Sequence, residues 1–426
     1  MTKMLYGLNV ARWDKQLYPT TGTEKLRAGD STAIARLKDL ELGFLKYPGG
    51  NDADSYVWNS EGNKPDDMDT DEYLELQRQC GVPGFFTVNF TSGTQLAAEW
   101  ARYIQMRAGN GAVPFWEVGD EVWGSWAKSH TTGTDYAQKF RQIADAMRAV
   151  EPGLKMAANL HLSDPDTSWT REALAGLGDS FDIITTTFFP LSPPNEQDEK
   201  LFRTPDQYRK LFGRLKDFIA RSRPGKPLPK FCLVGLNSTS SHPGPQTIEM
   251  ANAVYMAQMY GAMAETGTDM SCWWAFHNEW KPRGGDFGIV TSTPENRPYH
   301  TYYVLRLLAH HFLGRVVGAE RRGRVEFYAT RTDDGGCTLL VINTSGTDAA
   351  DVEIRPAGSQ RIGRMTAFSV DLVTSETVAS GSTRAPEELM VNIERTGPST
   401  NVLYLKALPA YSVAVVRTNE ARRLQQ

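Results

Sequence analysis

The sequence predicts a (β/α)8 barrel followed by a C-terminal antiparallel β-sandwich. Two observations carry that prediction. Eight short, β-rich apolar runs alternate with amphipathic helical stretches through the first two-thirds of the chain; beyond them the helical period gives way to short strands separated by turn residues. The division is expected between residues 313 and 314, and 426 residues are enough for two such units.

The expected barrel strands are Leu5–Val10, Phe44–Tyr47, Phe85–Asn89, Phe115–Gly119, Lys155–Asn159, Ile183–Thr187, Phe231–Leu236 and Ser271–Phe276. Apolar residues at helical spacing, with start signals in front, predict helices over Thr70–Gln79, Thr94–Arg107, Thr134–Val150, Pro205–Arg221 and Gln246–Glu265, and a last one over Pro298–Phe312. A doubly wound sheet also alternates in this way, but no GxGxxG or GxxxxGK[ST] follows the first strand. In the tail, Val325–Thr330, Thr338–Asn343, Asn401–Leu405 and Ser412–Arg417 read as sandwich strands. All ten tryptophans lie between Trp13 and Trp280, so aromatic surfaces for a ligand belong to the barrel.

Composition narrows the function. A formal charge of −4 gives no electrostatic reason to expect nucleic acid or an anionic membrane as partner. No window approaches a membrane span and the N-terminus lacks a leader pattern, so a cytoplasmic location is expected, or secretion where a leader has been removed. The four cysteines are scattered and the seven histidines form no HExxH, so neither metal nor cofactor is expected.

Barrel chemistry gathers at the C-terminal strand ends. The first ends in Asn9–Asp14, the second in Tyr47–Asp54, the third in Asn89-Phe90, and the fourth in Trp116-Glu117-Val118-Gly119-Asp120-Glu121. Carboxylates, amides and indoles are what a neutral polyol needs: flat faces for its C–H surfaces and polar groups for its hydroxyls. An oligosaccharide or glycoside is therefore the expected substrate. Glycoside hydrolysis needs an acid for the leaving oxygen and a second carboxylate, and Glu121 is the expected acid.

Lys46-Tyr47-Pro48-Gly49-Gly50-Asn51, Thr87-Val88-Asn89-Phe90, Trp116-Glu117-Val118-Gly119-Asp120-Glu121 and Asn237-Ser238 with Pro243-Gly244-Pro245-Gln246 resemble the α-L-arabinofuranosidases of glycoside hydrolase family 51 and its clan A relatives. The resemblance implies a retaining mechanism, a barrel with a C-terminal sandwich, Glu121 as acid/base, and a homo-oligomer as one possible assembly. It places Asn51, Asn89, Asp120, Trp273 and Trp274 around the sugar, with Asp14, Asp52, Asp54, Trp116, Phe189, Asn237, His277 and Glu279 as further candidates to line the pocket.

Three departures stand against these matches. Asp120 occupies the place of an asparagine that binds a sugar hydroxyl. Phe189 stands where the family carries a tyrosine that steadies the nucleophile. Gly235 replaces the strand-seven nucleophilic glutamate, and a glycine cannot form a glycosyl-enzyme. Four readings are open at this point: a deliberate substitution, an inverting enzyme that uses water, a non-catalytic sugar-binding relative, or another carboxylate serving in its place. The paired changes at Phe189 and Gly235 favour a naturally remodelled enzyme. For inversion, Asp14, Asp52, Asp54 and Glu279 are the candidate bases.

Overall fold

In the computed structural model, residues 1–18, 28–59, 67–162, 168–292, 295–333, 335–355, 365–383, 391–397 and 400–420 are described. Eight parallel strands close a barrel in sequence order: β1 (Gly7–Asn9), β2 (Phe44–Tyr47), β3 (Gly84–Val88), β4 (Phe115–Val118), β5 (Lys155–Asn159), β6 (Ile183–Phe188), β7 (Lys230–Leu236) and β8 (Met270–Trp273). All eight expected strands are present, most within a residue or two of their predicted ends.

The helices outside the barrel are α1 (Ser31–Asp39), α2 (Thr70–Cys80), α3 (Thr94–Ala108), α4 (Gly133–Val150), α5 (Ser168–Leu177), the short α6 (Asp198–Leu201), α7 (Thr204–Ser222), α8 (Met250–Thr266) and α9 (His300–His311). The acidic start of α2 is a capping box: Asp69 accepts from the Glu72 backbone, and the Glu72 side chain accepts from the Asp69 backbone. A two-stranded hairpin, β9 (Glu279–Trp280) with β10 (Gly285–Asp286), rides on the loop after β8.

Strand periodicity sorts the barrel's interior from its wall. Phe44, Phe85, Ala157, Ile183, Cys232 and Met270 form an apolar cluster with Phe115 inside the barrel. Towards the C-terminal mouth the buried side chains of Asn9, Lys46, Thr87, Glu117, Asn159 and Thr185 replace it with a polar layer. The alternate residues, among them Trp116, Val118, Leu236 and Trp273, belong to the larger core between strands and helices.

The C-terminal strands are β11 (Arg315–Arg322), β12 (Val325–Arg331), β13 (Cys337–Asn343), β14 (Ala350–Ile354), β15 (Met365–Val373), β16 (Val391–Gly397), β17 (Thr400–Leu408) and β18 (Ser412–Glu420). They make two antiparallel sheets, ordered β11-β12-β13-β18-β15 and β14-β17-β16. Leu339, Val341, Ala414 and Val416 of the first sheet pack on Leu403, Leu405 and Leu408 of the second. Tyr328, Leu340, Ile342, Val413 and Val415, on the opposite face, join the barrel's core. Both faces are covered, which explains why β13 and β18 read as continuous apolar runs. α8 lies between barrel and sheet and is buried from Met250 to Met263, so its methionines are core residues. Gly261 on α8 sits where an added Cβ would lie 2.4 Å from the Tyr328 ring, and this close approach lets the sheet dock.

Candidate active site

The site is built from the polar layer upward. Glu117 is fully buried and carries Lys46 Nζ at 2.9 Å. It also accepts from Thr87 (2.9 Å), Thr185 (2.5 Å) and Asn159 Nδ2 (3.0 Å). A buried ion pair holds only when its remaining lone pairs are satisfied, and here they are. Burial pulls the Lys46 pKa down, and the Coulombic pull of Glu117, with its hydrogen bond, is the chief influence that raises it above the ordinary lysine value.

Because Asn159 gives its amide protons to Glu117 and Thr185, its carbonyl oxygen points to the mouth. There it accepts from the Glu121 backbone N–H and from Trp123 Nε1, both at 3.1 Å. Glu121 sits in the left-handed region at φ 52°, uncommon for a residue with a side chain, and Asn159 is what fixes that turn. The turn aims the Glu121 carboxyl into the mouth. Thr187 Oγ1 lies 2.5 Å from its Oε1, and Trp126 Nε1 lies 3.3 Å from its Oε2. The Trp126 ring is 62% exposed and meets Trp123 edge-on; Trp123 in turn stacks on His161 at 3.8 Å.

Beyond Thr187 lies Gly235. A Cβ built there would stand 3.0 Å from Thr187 Cγ2 and 3.1 Å from the Phe189 ring. The β6–β7 register shifts between Thr186 and Thr187, and the β7–β8 register shifts between Leu233 and Leu236, so the Gly235 segment is a bulge at the mouth. On the other side, Asn51 Nδ2 donates to the Asp120 backbone oxygen (3.0 Å) and to its Oδ2 (2.9 Å). Trp274 is half-buried against Gly49 and Gly50; a Cβ on Gly50, at φ 53°, would come within 3.0 Å of its ring. Trp274, Asn51, Asp120, Glu121, Phe189 and Gly235 thus follow one another, contact by contact, at the C-terminal end of the barrel.

Other expected site residues lie elsewhere. Trp116 is a correction: it faces the helices, packs on Phe86 and Trp100, and gives its N–H to Val113. Trp273 is a second, being fully buried and packed towards Tyr255. On β4 the inward positions are Phe115 and Glu117, so Trp116 between them points out, and the same alternation turns Trp273 away. His277 lies in the loop after β8. It is 2% exposed, with Nδ1 2.9 Å from Asp14 and Nε2 2.7 Å from Asn296 Oδ1, and it ties the loop after β8 to the loop after β1.

Several polar candidates hold the loops in place. Asp14 also accepts from the backbone of Gln16 and Leu17. Asp52 pairs with Arg12 at 2.7 Å. Asp54 accepts from the Phe90 and Asp120 backbones and from Ser129, and burial raises its pKa. Asn89 bonds to Tyr56 O and Thr91, while Asn237 bonds to Trp274 O and Asn252. Glu279 is exposed on β9. Sequence reasoning missed Asn159, Thr187 and Trp126 as neighbours of Glu121, and Glu117 as its foundation. The inward phase of β4 was the available signal for Glu117. Among the described residues, no group of three or more His, Cys, Asp or Glu side chains is arranged to hold a metal, and no helix is long and apolar enough to cross a membrane.

No protein-family model matches the chain. It is 29% identical over 167 residues to a probable α-L-arabinofuranosidase C from Aspergillus clavatus, covering 32% of this chain and 33% of that protein. It is 25% identical over 153 residues to an intracellular exo-α-(1→5)-L-arabinofuranosidase from Bifidobacterium longum, covering 29% and 27%. The matches thus span about a third or less of these curated relatives. In structure, the family 51 arabinofuranosidase from Xanthomonas axonopodis pv. citri superposes with a TM-score of 0.78 at 15% identity over 98% of this chain and 97% of that one. The α-L-arabinofuranosidase from Thermotoga maritima gives 0.72 at 17% over 98% and 96%. The chain is homologous over about a third of its length to α-L-arabinofuranosidases, and it carries the fold of family 51 glycoside hydrolases nearly end to end.

Proposed function

We propose that the chain is a glycoside-processing enzyme acting on an α-L-arabinofuranoside or related glycoside, with Glu121 as the acid and no covalent glycosyl-enzyme on β7. The observation that carries this reading is the placement of Glu121. Its carboxyl is aimed into the mouth by a left-handed turn fastened to Asn159, and it is met there by Thr187 and Trp126. Glu121 gives its proton to the leaving oxygen as the bond to the anomeric carbon breaks, and the exposed Trp126 ring offers that departing group a flat face. Position 235 supplies no side chain, so water attacks the anomeric carbon, its proton passes to a base or to solvent, and the product is inverted. The candidate bases for that proton are Asp14, Asp52, Asp54 and Glu279. In this reading residues 1–313 carry the chemistry and 314–426 support them.

A second reading, sugar binding without turnover, draws on the Phe189 ring pressed against the vacant position. Glu121→Gln separates the two. Under the first reading it removes product release and leaves sugar affinity nearly unchanged; under the second no product forms in either protein.

A further inference from the structure

We propose that Asp120 carries its proton under working conditions and presents it from Oδ1 to a ligand hydroxyl, as a neutral donor–acceptor pair; the ligand half of this rests on the functional reading above. The charged groups facing Asp120 are Lys46 from β2, Asp54 from the loop after β2, Glu117 from β4 and Glu121 next in sequence. That is one cation against four carboxyl groups, Asp120 included. The cation is committed elsewhere: Lys46 Nζ is 2.9 Å from Glu117 but 4.0 Å from Asp120 Oδ1, beyond hydrogen-bond reach.

The two oxygens of Asp120 are not equivalent. Oδ2 accepts from Asn51 Nδ2 at 2.9 Å, the role of a carbonyl oxygen. Among the described residues no hydrogen bond reaches Oδ1, although the residue is only 5% exposed. A charge here would sit in a largely buried position beside three other acids, with no protein donor on one oxygen among the described residues. Burial and those neighbours raise the pKa well above the usual aspartate range, and Lys46 offsets them only in part. The Asp120 backbone is clamped by Asn51 on its oxygen and Asp54 on its nitrogen, so Oδ1 is held beside Glu121 at the mouth. A neutral carboxyl in that pose has the one-donor, one-acceptor pattern a hydroxyl can satisfy from both sides.

The test has two arms. Without ligand, the infrared difference spectrum of the wild type minus Asp120→Asn is recorded at neutral pH, with thermal unfolding as a check that the near-isosteric variant folds. A protonated-carboxyl carbonyl band unique to the wild type is expected; a carboxylate band in its place overturns the proposal. With ligand, L-arabinose is titrated calorimetrically against pH. Wild-type affinity should fall roughly tenfold or more as pH rises and the donor is lost, as for a hydrogen bond worth about 1.4 kcal/mol, while Asp120→Asn stays flat. A flat wild-type profile beside a protonated band overturns the ligand role. If neither protein binds L-arabinose at any pH, the sugar reading fails and the ligand role with it, whereas the infrared band still decides the proton.

Discussion

The ring of Phe189 stands 3.1 Å from where a side chain on Gly235 would begin, so the large residue on one strand end fills the space the small one leaves. The pair is coupled through packing, and neither residue is interpretable alone. Gly235→Ala is expected to destabilise the protein by about 1–3 kcal/mol through overpacking. Adding Phe189→Leu should recover much of that loss, giving a coupling of roughly 0.5–3 kcal/mol in a double-mutant cycle by urea denaturation. Additive effects would show that the two side chains do not compete for one space.

The same packing bears on chemical rescue. Azide or formate restores turnover where a nucleophile's space stands open, but here Phe189 closes it. Product formation by the wild type on an aryl arabinofuranoside should therefore not rise with azide. Phe189→Ala opens the space, and an azide-dependent glycosyl azide, detected by mass spectrometry, is expected in that variant.

Glu121→Gln should lower turnover roughly a hundredfold to ten-thousandfold, the range of a lost general acid. The loss should shrink with leaving groups that depart without protonation, because the proton is then not needed. Steady-state rates across aryl glycosides of graded leaving-group acidity check this; a uniform loss would assign Glu121 to binding.

His277 gives the protein a pH signature. Burial alone lowers its pKa, but the Asp14 carboxylate and the Asn296 oxygen hold the imidazolium above the ordinary histidine value. A raised folded-state pKa stabilises fully below the unfolded value of about 6.5 and is lost as pH rises through the folded one. Asp286, pushed up to about 6 by burial, acts in the same direction at lower pH: its contribution is lost as pH rises through about 6. Thermal unfolding should show wild-type stability declining from mildly acid towards alkaline pH. His277→Gln should remove the upper part of that decline and cost about 3–5 kcal/mol at low pH by stranding Asp14, and Asp286→Asn should remove the lower part.

At the seam between barrel and sheet, Gly261→Ala sets a helix-propensity gain of about 1 kcal/mol against a 2.4 Å clash with the Tyr328 ring. The clash should win, since Tyr328 is fixed by Arg209 at 2.7 Å and by Glu326 at 2.7 Å. A net loss of about 1–2 kcal/mol is expected, and Tyr328→Ala, itself costly, should abolish the difference between glycine and alanine.

The barrel was legible because eight apolar runs of strand length alternate with helical periods, a pattern few folds satisfy. The position of Glu121, just past the fourth strand, was legible from the strand itself. Strand phase, not chemical suitability, decides where Trp116 and Trp273 point: neighbours of inward residues face out. Asn159 and Thr187 carry no signal of their own, since a single amide or hydroxyl at a strand end acquires its role only from what closure of the barrel brings opposite it. That Asp14 and Asn296, far away in the chain, meet both nitrogens of His277 is not visible in the sequence.

The stereochemistry of the first product tests the central claim most directly. Proton NMR of the purified protein with an aryl α-L-arabinofuranoside follows the anomeric signal before mutarotation. The account predicts that β-L-arabinofuranose appears first, because water attacks where no side-chain nucleophile stands. First appearance of the α-anomer would contradict it, since retention requires a covalent intermediate that Gly235 cannot form.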